Sequence, residues 1–386
     1  MTLSSVKERG TETAMVSRRQ FLKSLCLFSC TAPFVSGLLG STGSDPLAPF
    51  TRKARYYEKL PGRRVRCTLC PRECRVGNRE RGYCGVRENR DGEYYTLVYG
   101  NPCSLGIDPI EKKPFFHFLP GTGAFSLSTA GCNMNCRYCQ NWEISQSRPE
   151  NVRWQSLFPK DAVKEAQRRQ CRSILGTYAE PTVFFEYMLA IAREARQQGL
   201  KSAIVSAGFT RKEPMEEFLK ALDAVKIDLK SFDDEFYRKI CVGERAPVLE
   251  TLKTIRKSEV WLEIVYLVVP TLNDSMDKIK EMCQWIKKEL GSDVPLHFTR
   301  FHPIYKLKNL PSTPVATLQK ARNAAMAEGL HYVYTGNVPG DPGENTYCHH
   351  CRKPVIERAG FMIKKIHLIK GKCPYCKERI PGVWEG

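Results

Sequence analysis

Thr129-Ala-Gly131-Cys132-Asn-Met-Asn-Cys136-Arg-Tyr138-Cys139-Gln-Asn-Trp142 is the stretch on which the rest of this 386-residue chain turns. Its C-x3-C-x2-C spacing puts three thiols on one tight loop, and Gly131 lets the backbone turn into it. Three thiolates can hold three irons of a cubic [4Fe–4S] cluster, whereas a ferredoxin-type site needs a fourth cysteine to close the cube. No fourth cysteine follows nearby, so one iron would stay open to a substrate or cofactor. A zinc site or a set of structural thiols is the competing reading of the same spacing.

Outward from this loop, strands and helices alternate. Short apolar or β-branched runs predict strands over Ala124–Thr129, Ser173–Tyr178, Ser202–Ser206, Ala224–Leu229, Val260–Val269 and Leu296–Phe301. Amphipathic stretches predict helices over Asp161–Gln170, Pro181–Gln198, Pro214–Leu222, Pro247–Lys257, Ser275–Leu290 and Pro314–Glu328. Six such units make an α/β fold, a partial (β/α)6 TIM-type barrel over 124–340, with chemistry expected at the C-terminal strand ends. A signal-like segment (1–50), a Cys-rich segment (51–123) and a zinc-ribbon-like segment (341–386) flank it.

The 17 cysteines fall largely into C-x2-C and C-x3-C pairs, which points to metal-binding thiolates rather than a disulfide framework. Cys67, Cys70, Cys74 and Cys84 predict a small closed site for zinc or a second cluster. Cys348, Cys351, Cys373 and Cys376 form two C-x2-C knuckles, the pattern of a structural zinc ribbon. The connector Pro109–Gly121 reads as an exposed link or as an active-site rim. A net charge of +19 is spread without basic runs, which favours a solvated surface over nucleic-acid binding.

Ser17-Arg18-Arg19-Gln20-Phe21-Leu22-Lys23 and the apolar run after it resemble a twin-arginine export signal. Export by that route or membrane association is expected, with a cytoplasmic protein as the alternative. The run is too short, and too interrupted by Pro33, for a convincing membrane span.

With its aromatic Tyr138 before the last cysteine, the central loop resembles the signature of the radical S-adenosylmethionine (radical SAM) superfamily. The barrel is similar to the pyruvate formate-lyase activating enzymes. The Cys67–Cys84 segment, Ile110-Glu-Lys-Lys-Pro114, Cys139-Gln-Asn-Trp142, Thr335-Gly-Asn-Val-Pro339 and the ribbon resemble the radical SAM component of the AmmeMemoRadiSam system.

The resemblance implies an enzyme whose open iron chelates SAM and whose cluster cleaves it to a 5′-deoxyadenosyl radical that abstracts hydrogen, as activases do from a protein. It implies SAM contacts from Glu180, Ser206, Asp228, Lys230 and His302, with Tyr138 beside them. Locally, Glu180 is otherwise a helix cap before Pro181, and alternation puts Lys226, Asp228 and Lys230 on one face as an ordinary ion pair. Implied partners are a flavodoxin- or ferredoxin-like electron donor and Memo-like and AMMECR-like proteins. The rival readings are a non-enzymatic iron–sulfur electron-transfer protein and a radical SAM enzyme that modifies RNA.

Overall fold

The computed structural model describes residues 45–385, so the export-signal-like stretch lies outside the described residues. An open eight-stranded sheet forms the frame. Its strands are β1 (Ser104–Pro109), β2 (Gly123–Ser128), β3 (Ser173–Gly176), β4 (Lys201–Ser206), β5 (Ala224–Asp228), β6 (Trp261–Val268), β7 (Leu296–Arg300) and β8 (Val333–Gly336). From β2 to β8 each strand pairs in parallel with the next in chain order, while β1 runs antiparallel along the edge beside β2.

All six strands read from the sequence are present as β2–β7, and β8 and β1 extend the sheet beyond them. β8 is only Val-Tyr-Thr-Gly and β1 carries Gly106 and Pro109, so neither makes an apolar run. Pro is tolerated on an edge strand, which is where β1 lies.

Helices α1 (Pro159–Arg168), α2 (Phe185–Gln197), α3 (Lys212–Leu219), α4 (Arg245–Arg256), α5 (Met276–Glu289) and α6 (Val315–Ala327) fill the crossovers. Each buries one stripe; in α5 it is Ile279, Met282, Cys283 and Ile286, one helical face. α2 ends where Gly199 takes φ +70° and Leu200 N–H donates back to the Ala195 carbonyl. None of the described helices is long and apolar enough to cross a membrane.

The connector Pro109–Gly121 is neither an exposed link nor a rim. Ile110, Phe115, Phe118 and Leu119 are buried against Ala124, Leu175, Ala203 and Ala224, near the starting ends of β2–β5. The alanines leave room inside the barrel, and the aromatic rings fill it as a floor. Glu263 fastens this plug, since its buried carboxylate accepts from the Phe116 and His117 N–H groups and from the Trp261 indole.

The terminal ribbon docks beneath the same plug. Leu119 N–H donates to the Val383 carbonyl and Val383 N–H to the His117 carbonyl, both at 2.7 Å. His117 Nδ1 lies 2.6 Å from the Pro381 carbonyl, which only accepts, so Nδ1 carries the proton and Nε2 accepts from the Tyr334 hydroxyl.

Two of the expected segment boundaries shift. Leu47 and Phe50 are already buried, Phe50 against Trp154 and Phe158, so the packed body begins before residue 51. The Cys-rich segment merges with the barrel through β1 and the plug, so no boundary falls at 123/124.

Candidate active site

The three-cysteine loop leaves the C-terminal end of β2. Gly131 has φ +93°, and a methyl on it would lie 2.6 Å from both the Cys84 carbonyl oxygen and Val86 Cγ1. Only glycine suits both the backbone and the approach. Beyond it the backbone is pinned to a neighbouring turn. Asn135 N–H donates to the Cys241 carbonyl and Arg137 N–H to the Ile240 carbonyl, at 3.0 and 2.9 Å. Asn133 Nδ2 donates to the Phe209 carbonyl at 2.7 Å.

Donors also reach the sulfurs. Met134 N–H lies 3.4 Å from Cys132 Sγ, and the Ser145 hydroxyl 3.3 Å from Cys139 Sγ. Burial, the nearby Glu180 carboxylate and the other two cysteines push the Cys132 thiol well up. Half-buried thiols clustered this way, with N–H and O–H groups turned to them, fit an iron–sulfur group that would take them as thiolates.

Glu180 is buried on the turn after β3. Its Oε1 accepts from Thr182 N–H, the Thr182 hydroxyl and the Ser206 hydroxyl, and its Oε2 from Ala207 N–H. The helix-cap reading is therefore the one its geometry fills, and the carboxylate ties the ends of β3 and β4 together. Ser206 completes that brace, accepting from Gly208 N–H at 2.9 Å.

Lys226, Asp228 and Lys230 form a charge ladder at the end of β5. Asp228 Oδ1 lies 2.7 Å from Lys226 Nζ and Oδ2 lies 2.8 Å from Lys230 Nζ. Burial works against the Asp228 charge, yet the two lysines hold its carboxyl well below the usual range. Burial likewise opposes the Lys230 cation, and Asp228 and then Cys136 raise it.

Tyr138 is buried, with its hydroxyl 3.3 Å from Cys241 Sγ. His302 is exposed beyond β7, its Nδ1 3.2 Å from the Ser312 hydroxyl. Asn273 braces the loop after β6 by donating to the Lys230 and Leu267 carbonyls, each at 2.9 Å.

Two features were not legible in the sequence. Cys241, fully buried, lies beside Cys136, whose thiol is pushed well up by their hydrogen bond and then by burial. Beside the starting end of β2, Asp108 of β1 pairs with Lys112 and Lys113 at 2.7 and 2.6 Å, and Tyr178 donates to it at 2.9 Å. The short motif Ile110–Pro114 was the signal for Lys113, but nothing local linked Asp108 to Tyr178.

Of the other two cysteine sets, the ribbon stands apart from this loop, whereas the Cys67–Cys84 set packs against it. In the ribbon, Cys348 Sγ and Cys376 Sγ are 3.5 Å apart and Cys351 Sγ and Cys373 Sγ 3.6 Å. All four sulfurs lie within 4.8 Å of one another, so the group could bind one metal ion. Cys67, Cys70, Cys74 and Cys84 gather on two turns packed against Gly131 and Asn133.

A parallel partial barrel with three clustered thiols on its first strand-end loop defines an iron–sulfur barrel enzyme. Residues 126–286 match the Radical SAM superfamily. An uncharacterized protein of Methanocaldococcus jannaschii is 47% identical over 85% of this chain and 98% of its own length. The pyruvate formate-lyase-activating enzyme of Clostridium pasteurianum is 27% identical over 41% of this chain and 66% of its own length. A solved domain of the corresponding enzyme of Bacteroides vulgatus shares 18% identity over 42% of this chain and 98% of that chain, with a TM-score of 0.38. The chain belongs to the radical SAM superfamily, whose members carry a [4Fe–4S] cluster and perform SAM-dependent radical chemistry.

Proposed function

We propose that this chain cleaves SAM reductively at a cluster held by Cys132, Cys136 and Cys139 and starts hydrogen abstraction from a substrate in the manner of an activating enzyme. When bound, the cluster supplies the electron that breaks the SAM sulfonium and frees a 5′-deoxyadenosyl radical. The observation that carries this reading is the meeting of three thiols, the Glu180 carboxylate and the Asp228–Lys230 pair at the strand ends.

Each residue then has a task. Lys230, held charged by Asp228, offers a fixed cation to the SAM carboxylate. Glu180 braces the turn with Ser206 and keeps lone-pair capacity on Oε2, which takes a single protein donor, for the SAM amine. Tyr138 stiffens the loop through Cys241, and His302, exposed beyond β7, would meet the SAM ribose. The buried walls exclude water from the reacting centre.

The activase resemblance supports a protein hydrogen donor and a ferredoxin- or flavodoxin-like electron donor, and the AmmeMemoRadiSam resemblance supports Memo-like and AMMECR-like partners. Zinc suits the ribbon, because a tetrahedral ion with bonds of about 2.3 Å sets sulfurs about 3.8 Å apart, close to the 3.5 and 3.6 Å seen there.

The test is anaerobic loading with iron and sulfide, reduction with dithionite, and measurement of 5′-deoxyadenosine released from SAM. Wild-type protein should release it, and Cys136→Ala should fall to the background of free dithionite. Loaded wild-type protein that releases none ends the proposal. Cys241 adds a check: were it the fourth ligand, SAM would leave the wild-type EPR signal unchanged and alter it only in Cys241→Ala.

A further inference from the structure

Cys67, Cys70, Cys74 and Cys84 sit on turns that touch the central loop directly. The Cys84 carbonyl lies against Gly131, one residue before Cys132. Arg72, between Cys70 and Cys74, donates from Nε to the Asn133 carbonyl and from Nη2 to the Val242 carbonyl. The loop carrying two of these four cysteines is thus bonded to the residue next to Cys132 and to the residue next to Cys241.

The four thiols share one environment. Cys67 N–H donates to the Cys74 carbonyl at 2.9 Å, Glu73 N–H to the Cys70 carbonyl at 3.2 Å, and Tyr83 N–H, one residue before Cys84, lies 3.4 Å from Cys74 Sγ. Yet they are not drawn in as the ribbon sulfurs are. Among the described residues, the ribbon is the only group of three or more metal-binding side chains whose donor atoms all lie within 4.8 Å of one another. A single tetrahedral ion pulls its sulfurs about 3.8 Å apart. A cubic cluster binds each cysteine to a different iron and holds the sulfurs farther apart.

Two buried donors beside the quartet have no acceptor. Tyr94 is fully buried and its hydroxyl is unpartnered. A methyl on Gly82 would lie 2.6 Å from that hydroxyl and 3.8 Å from Cys74 Sγ, so the hydroxyl and the sulfur flank one spot. Arg87 is equally buried; Nη1 donates to the Arg55 carbonyl and Nη2 pairs with Glu186, while Nε is left over. Its guanidinium stands beside the Cys67 thiol. Orphaned buried donors call for an acceptor, and the sulfides and thiolates of a cluster supply several.

We propose that Cys67, Cys70, Cys74 and Cys84 hold a second [4Fe–4S] cluster, fully ligated, that relays electrons to the site at Cys132–Cys139. The relay role rests on the radical reading above. A low-potential protein donor of the ferredoxin or flavodoxin class gives one electron, taking this cluster from the 2+ to the 1+ state. That electron passes to the central site and returns the relay to 2+, with no bond made or broken and no proton moved.

The experiment compares three loaded full-length proteins: wild type, the double variant Cys70→Ser/Cys74→Ser, and the triple variant Cys132→Ser/Cys136→Ser/Cys139→Ser. Metal analysis and Mössbauer spectra should give about eight irons in the wild type, from two four-iron clusters. The triple variant should keep about half of that iron and an EPR signal indifferent to SAM. The double variant should keep the SAM-responsive signal and dithionite-driven cleavage, and lose at least about tenfold in cleavage driven by a protein donor.

Wild-type protein with about four irons and a second zinc overturns the cluster. Undiminished donor-driven cleavage in the double variant overturns the relay. Absence of any SAM-responsive signal in the wild type overturns the radical reading alone. Should the double variant fail to fold, the wild-type iron count and Mössbauer spectrum still decide whether the cluster exists.

Discussion

The two four-cysteine sets stand at opposite ends of one barrel and are built to different plans. The ribbon quartet is close-knit, lies under the plug on the side where the strands begin, and has the buried aromatics Phe116, Tyr332 and Tyr334 around it. The quartet at Cys67–Cys84 is looser, faces the strand ends, and has charged and hydroxyl donors left unpaired beside it. Same residue type and similar spacing do not make the same site. What differs is how far the sulfurs are drawn together and what the surrounding donors lack.

The largest way to strain this contrast is to empty the ribbon. Cys348→Ser with Cys373→Ser should remove one metal ion per chain, because each loses a thiolate from a four-sulfur group. Several kcal/mol of lost metal binding should lower the thermal midpoint by on the order of 10 °C. The SAM-responsive EPR signal at the other end should persist in the protein that remains folded. Loss of that signal without loss of stability would tie the ribbon to the chemistry and erase the contrast.

Acid should loosen the floor more gently. Burial lowers His117 from 6.5 to about 4, among Glu263, His297, Arg358 and Tyr334. The unfolded chain therefore takes up a proton that the native state refuses as pH drops below about 6.5. Stability is full above that pH and falls towards pH 4, by up to about 3 kcal/mol for this group at about 1.4 kcal/mol per unit. Burial lowers His297 as well, which acts with the same sign. Urea midpoints at pH 5 and 7.5 should show the loss, and His117→Gln, which can still donate to Pro381 and accept from Tyr334, should flatten it. An unchanged slope in that variant would place the acid sensitivity elsewhere.

The smallest and sharpest probe is Tyr94→Phe. With a cluster in the quartet it removes an O–H···S bond, so the loaded protein should lose about 0.5–1.5 kcal/mol and the SAM-indifferent signal should shift in midpoint potential. With no acceptor there, deleting an orphaned hydroxyl should leave stability level or raise it. Denaturation of loaded protein separates the two.

Much of this architecture was legible before the structure. The apolar runs of β2–β7 sit between covered faces, so composition alone marks them. The three-cysteine loop and the ribbon knuckles announce themselves by spacing. The floor did not, because Pro114-Phe-Phe-His117-Phe-Leu-Pro120 has neither a helical nor a strand period and its burial depends on alanines scattered over other strands. Cys241 was hidden for a related reason: it lies 105 residues from Cys136, and only the fold brings them together. Glu180 was visible as a residue, yet the brace it forms depended on the donors of Thr182, Ser206 and Ala207.

The hold that Val383 has on Leu119 and His117 also bears on the order in which the protein is made. A ribosome adds about 5–20 residues each second, so the barrel strands are exposed well before the segment that seals their underside. During that interval the Phe115–Phe118 wedge has no lower support, and nascent chains should be most prone to misassembly there. Iron loading at the open rim, by contrast, need not wait for the seal.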